Sequence, residues 1–469
     1  MPPVAPRPRG WSFLVTPAGK VRASALKYKP KKITITRHDI EYKLSALLGR
    51  GLTSTSAGGF FFIPYLLQLK AHDLVSCFAP GKREGIPNEC LALGMVLESI
   101  FGYKGGIRTV DSVSRADFGL LFGLPFLPSP STEYRFLQAT TFQQSLDFQV
   151  ALGKRLVDLG QIVPGSAVNI DGHTIRTYSR KEMKQSFITK EDRYGKAIRA
   201  FYTQDQESRK PLIAVAAYSG TAVSQVTHQV ATYTRAILDR EFLMVADKEW
   251  YCGRLPRELH KRNKINVLVP VKHYQGMLEE FDAVPLHKYS KTIYGEIATI
   301  YTTFNNFDGP LLMFLKKGPD GKYFALITTE PKMTPEVAMP TYTKRWRIED
   351  FFAENTFLGM DYLPGLDLHA IQTMISLRLL AYHAVDNFRN DLGPDYKTKT
   401  PELIYREFVD GVQGRVQLRG DVIEVHIYGF AHEAAAAALF TNLDDKLERS
   451  KVDPRIPWLG NRRLRFFFH

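Results

Sequence analysis

The spacing of apolar and polar positions changes repeatedly along the chain. Prolines at 2, 3, 6, 8, 17 and 30 leave no room for a long helix in the first 35 residues. From His38 to Gly160 the spacing is helical, with loops at Gly58-Gly59, Pro80-Gly81 and Gly105-Gly106. Ser112 to Gly123 reads as one helix, and Ser131 as the cap of the next, across a turn containing Pro125, Pro128 and Pro130. This pair is compatible with a helix-turn-helix, but its turn is long, and a plain helical bundle explains the pattern equally well.

After Pro164 strands and helices alternate. Ala167 to Ile170 is a short apolar strand ending at Asp171, and Ala197 to Tyr202 and Pro211 to Tyr218 are two more. Val226 to Asp239 predicts a helix, Phe242 to Ala246 a strand ending at Asp247, Arg254 to Asn263 a helix and Ile265 to Val271 a β-branched strand. The order β-β-β-α-β-α-β suits a mixed sheet covered by helices. Between Lys272 and Pro331 the signals are purely β, with strands at 294–301, 311–315 and 323–328, which reads as an inserted β subdomain. Helices then run from Pro335 to Phe357 and from Leu366 to Asn390. A hairpin around Gly420-Asp421, an alanine-rich helix from His432 to Arg449 and a basic-aromatic tail from Arg462 follow.

Charge adds a partner to this picture. Sixty-two Lys and Arg against 48 Asp and Glu give +14, and nine of the cations lie before His38 with no carboxylate among them. Such a basic arm points toward a polyanion, because cations release counterions from a phosphate backbone. Cys77, Cys90 and Cys252 show no zinc spacing and read as ordinary thiols of a reducing compartment. The longest apolar run, Phe60 to Leu67, is broken by Pro64 and too short to cross a bilayer. With no signal peptide in view, the expectation is a protein that stays in the compartment where it is made.

The candidate chemistry rests on three acids. Asp171 and Asp247 each end an apolar strand, where α/β folds place their sites, and two such carboxylates can share a divalent ion. Asp at a strand end is also common in turns. The third acid, Glu349, lies in Tyr342-Thr-Lys-Arg345-Trp346-Arg-Ile-Glu349. At about 100° per residue, Tyr342, Arg345 and Glu349 share one helix face. An exposed i,i+4 Arg–Glu pair is the bland alternative.

Here the sequence resembles the insertion-sequence DDE transposases, whose last acid sits in a Tyr-x2-Arg-x3-Glu-x6-Lys signature. The resemblance runs from about Asp171 to Leu380. It implies an RNase H-like catalytic domain, whose strand order the pattern matches. It also implies that Asp171, Asp247 and Glu349 hold two Mg²⁺ or Mn²⁺ ions and that Tyr342 and Arg345 contact DNA. Double-stranded DNA, as terminal inverted repeats and target, and a second copy in a homodimer would be the partners. The setting would be a prokaryotic cytoplasm, at the nucleoid. The signature's Lys falls on Thr356, on the same helix face but uncharged; Lys344 is a possible replacement, and Lys248 and Arg254 are further phosphate contacts. His173 reads as a strand-end histidine facing solvent or, less simply, as a neighbour of the ion. Glu249 is a substitute ligand, and Asp350 and Glu354 point to solvent.

The resulting expectation is a mixed α+β chain divided into six parts. These are a basic arm (1–37), a helical DNA-binding region (38–163), an RNase H-like core (164–271), a β-rich insertion (272–331), the core resumed (332–392) and a C-terminal helical and hairpin region (393–469). A nuclease of the same fold without strand transfer, and an inactive DNA-binding descendant, are the rival readings.

Overall fold

In a computed structural model the described residues are 35–78, 85–103, 117–177, 182–183, 185–188, 192–251, 255–272, 275–302, 311–362, 365 and 367–469. Almost all of the expected basic arm, Cys252 and Arg254 lie outside them. Among the described residues fourteen strands form two sheets. They are β1 (Leu52–Ser54), β2 (Val168–Arg176), β3 (Gln185–Ile188), β4 (Arg193–Asp205), β5 (Pro211–Tyr218), β6 (Leu243–Val245) and β7 (Asn266–Pro270), then β8 (Tyr289–Thr292), β9 (Gly295–Thr302), β10 (Leu311–Lys317), β11 (Tyr323–Thr328), β12 (Gly414–Arg419), β13 (Val422–Ile427) and β14 (Arg463–Phe468).

The larger sheet is mixed, with order β5-β4-β2-β6-β7-β11-β10-β9-β8 and β3 on the first residues of β4. β5, β4 and β2 are antiparallel neighbours, whereas β2, β6 and β7 run parallel. The strands of the expected insertion do not stand apart from this sheet. β11 pairs antiparallel with β7, so β8 to β11 extend the same sheet.

The helix Leu368–Asp391 is buried on nearly every side and packs against the helices Asn88–Ile100 and Phe142–Asp158 and against β5. β5 is an edge strand, and its unpaired backbone groups need partners. Two buried glutamines supply them. Gln149 accepts from the Ala214 amide at 2.6 Å and donates to its carbonyl at 3.1 Å, while Gln372 accepts from the Ala216 amide at 2.8 Å. Polar residues inside two apolar helices are thereby explained: they cover a sheet edge.

The smaller sheet, β1-β12-β13-β14, joins the two ends of the described chain. The tail is therefore a strand docked on the core, parallel to β13, with Leu464 buried. Three expected helices differ. Only the 3₁₀ turn Phe118–Phe122 stands within the described part of Ser112 to Gly123, and the next helix begins at Pro130 with Ser129, not Ser131, at its N-cap. The alanine-rich helix is two helices, Glu433–Phe440 and Leu443–Arg449, separated where Asn442 turns left-handed at φ 54°. Among the described residues no helix is long and apolar enough to cross a membrane.

Candidate active site

β2 does not end at Asp171 but continues to Arg176, because Asp171 to Arg176 pair with β4. What ends there is the neighbour on the other side. β6 stops at Val245, opposite Asn169, and carrying that parallel register two steps further sets Asp247 level with Asp171. The two acids thus lie side by side where the sheet opens. Alternation along β2 puts Asn169, Asp171 and His173 on one face, and the segment carrying Glu349 covers it.

That segment is not one helix from Pro335 to Phe357. An α-helix Pro335–Thr343 passes into a 3₁₀ turn Lys344–Trp346 and then a second α-helix Arg347–Glu354. Three buried amides hold the backbone at this break. Gln206 donates to the Thr341 carbonyl at 2.9 Å, Asn169 to that of Lys344 at 3.2 Å and Gln204 to that of Arg347 at 3.2 Å. The break aims Arg345 inward. Its guanidinium lies 2.7 Å from Glu349 and 3.4 Å from Asp171, and Arg345 is only 5% exposed. The Tyr342 and Trp346 rings flank it at 5.9 and 5.2 Å.

Burial pushes the Asp171 carboxyl up to about 6; Arg345 and the Gly172 amide pull it down, and Asp247 and Glu349 add to the rise. Burial also raises Asp247, against a hydrogen bond from the Glu249 amide at 2.7 Å. Acids from three separated segments therefore share one field, neutralised in part by a single buried arginine. All three offer oxygen, which suits a hard divalent cation such as Mg²⁺ or Mn²⁺. Among the described residues no three His, Cys, Asp or Glu side chains stand ready at ligand spacing; the Arg345 guanidinium bridges Asp171 and Glu349.

The other candidates are placed as follows. His173 does not face solvent: it is 5% exposed, stacks on Phe352 at 4.5 Å and bonds Asp361. Glu249 is ion-paired with Arg199. Lys248 is exposed beside Asp247, whereas Lys344 is drawn to Glu207, away from the acids. Asp350 is exposed, but Glu354 is partly buried beside Arg389 at 4.0 Å. Thr356 lies beyond the helix end at Glu354 and so does not share its face. Sequence spacing missed Arg199 and the three amides, whose roles depend on cross-strand register.

Residues 164–383 match the family model described as the transposase DDE domain, a span that contains Asp171, Asp247 and Glu349. Among solved structures the chain is similar to the piggyBac transposase in its cryo-EM synaptic complex with hairpin DNA. The identity is 10%, over 85% of this chain and 84% of that one, with a TM-score of 0.44. No curated protein matches the chain.

Proposed function

We propose that this chain is a DNA transposase whose DDE domain is the match over residues 164–383, with Asp171, Asp247 and Glu349 as its catalytic acids. The observation that carries this reading is their convergence, from the middle of β2, the turn after β6 and one helix, around the Arg345 guanidinium. The strand order β5-β4-β2-β6-β7, three antiparallel and three parallel with β2 shared, supports an RNase H-like core. On this reading residues 272–331 are an insertion whose strands have fused to the core sheet.

The acids would hold two Mg²⁺ or Mn²⁺ ions. Such ions activate the attacking hydroxyl and stabilise the leaving oxygen of an in-line displacement at phosphorus. The chain's own part is placement. Asp171 is fixed by strand register, Asp247 by the turn that follows β6 and Glu349 by the clamped break, so little reorganisation accompanies reaction. No side chain serves as nucleophile; water first, then a DNA 3′-hydroxyl, attacks phosphorus. Arg345 can exchange its carboxylate partners for a phosphate, which its planar fork also fits. Tyr342 stands beside it as in the Tyr-x2-Arg-x3-Glu signature, and Lys248 is free to meet the DNA backbone. Arg254 is proposed for the same role, and Lys344 for a lesser one because of Glu207. The DNA partners are terminal inverted repeats and target, engaged by a homodimer, in a prokaryotic cytoplasm.

The test combines protein, Mg²⁺, a transposon-end duplex and supercoiled plasmid. Joined products are expected, and cleavage without joining would favour a nuclease. Asp171→Asn, Asp247→Asn and Glu349→Gln should each abolish cleavage while end binding in a gel-shift assay persists. Cleavage by Glu349→Gln at the wild-type rate would remove Glu349 from the triad.

A further inference from the structure

Arg199 lies on the other face of the sheet. It stands opposite Thr174 in the β2–β4 register, out of step with Asp171, which is opposite Tyr202. From there it crosses Gly172: a Cβ on Gly172 would fall 2.4 Å from its Nε and 2.7 Å from Nη2. The guanidinium then rests over the Phe201 ring at 4.9 Å and ends on the Glu249 carboxylate. Glu249 belongs to the turn that carries Asp247. Its amide bonds the Asp247 carboxylate at 2.7 Å, and the turn is closed at 3.1 Å by the Trp250 amide on the Asp247 carbonyl. Trp250 itself is buried, with its indole N–H on Thr227 at 3.0 Å.

We propose that Arg199 and Glu249 form a brace that positions Asp247, and that Glu249 is thereby a structural counter-ion and not a metal ligand. The inference rests on the reading of Asp247 as a ligand. One end of the turn is anchored by Trp250 in the core. The other end leaves β6, where the Ala246 amide bonds the Leu268 carbonyl at 3.2 Å; between these anchors a shift of the Glu249 amide takes the Asp247 carboxylate with it. Arg199 holds it from beneath. Gly172 is required as the open track along which Arg199 reaches the turn, so three positions far apart in sequence act on one carboxylate. Partners behind metal ligands act in this way, and their loss costs about 10–100-fold in metal affinity.

The experiment is a Mn²⁺ titration followed by electron paramagnetic resonance on the full chain, with thermal melts confirming that each variant is folded. Arg199→Gln, Glu249→Gln and Gly172→Ala should each weaken Mn²⁺ binding by about tenfold. The double variant Arg199→Glu/Glu249→Arg restores the pair with its charges exchanged and should regain affinity, although it has no carboxylate at 249. Arg199→Lys, the gentlest change, should fall between wild type and Arg199→Gln. Wild-type affinity in Arg199→Gln, or no recovery in the exchanged pair, would overturn the brace. Asp247→Asn is the control that separates the two claims: unchanged Mn²⁺ binding in that variant would overturn the ligand reading itself.

Discussion

At the scale of single residues, the site is governed by how buried charge is balanced. Arg345 sits where a cation between Asp171 and Glu349 is most strongly favoured, and a divalent ion must compete with it there. Arg345→Met is therefore expected to tighten Mn²⁺ binding by about tenfold or more, one charge-assisted hydrogen bond being lost from the competitor. Strand joining should fall in the same variant, since the phosphate contact is gone. A titration and a joining assay moving in the same direction would contradict this account. Elsewhere, burial pushes Glu98 up to about 8, opposed by a hydrogen bond with Glu133 and the charge of Arg378. Its folded value lies above its unfolded one of 4.5, so folding favours the protonated form. That contribution is complete below the unfolded value and is lost as pH rises through the folded value. Urea unfolding across this window should show wild-type stability falling with pH, and Glu98→Gln should flatten the decline.

At the scale of elements, the break in the Glu349 segment does what a straight helix cannot. A continuous helix needs no outside donors for its carbonyls, whereas the backbone around this break takes three, from Gln206 on Thr341, Asn169 on Lys344 and Gln204 on Arg347. Gln206→Leu, at a residue only 2% exposed, should cost about 1–3 kcal/mol in stability by leaving the Thr341 carbonyl buried without this donor. Cleavage should fall further than stability alone explains, because the break aims Arg345; equal cleavage in a folded variant would deny the clamp its role. Much of this region was legible beforehand. The strand at Tyr323–Thr328 and the helix Val223–Leu238 follow from hydrophobic period, and the same spacing singled out the three acids proposed above as catalytic. The break was not legible, since its donors lie 135 to 175 residues away. The same limit hid Arg199, whose partner is 50 residues distant, and gave Thr356 a helix face that the chain has already left. Local period reads elements; long-range hydrogen bonds decide where they bend.

At the scale of the whole molecule, the tail decides how the ends of the chain are joined. Its sequence, Arg463-Leu-Arg465-Phe-Phe-Phe468, suits either a grip on DNA or a docked strand. The structure docks it: Leu464 is buried, Phe466 and Phe468 stack near Phe61 at 5.2 and 6.3 Å, and Arg462 bonds Ser45 at 2.6 Å. Just upstream, the Trp458 indole donates to the Leu121 carbonyl at 2.9 Å. Gly123, at φ 82°, has no room for a Cβ beneath the Trp458 carbonyl, which would lie 2.1 Å away. Regions expected to be separate, 38–163 and 393–469, thus share a sheet and a core. Removing β14 exposes one buried Leu and three half-buried Phe, worth roughly 5 kcal/mol. Against a total stability of about 5–15 kcal/mol, a chain ending at Gly460 should be unfolded or close to it. Loss of DNA binding by such a truncation would then say nothing about where DNA sits. Point variants separate the two roles. Phe466→Ala should lower the melting temperature, while Arg465→Ala, on an exposed side chain, should leave it unchanged along with end binding. If Arg465→Ala weakened end binding at constant stability, the strand would serve DNA as well as the fold, and β14 would carry two faces with two tasks.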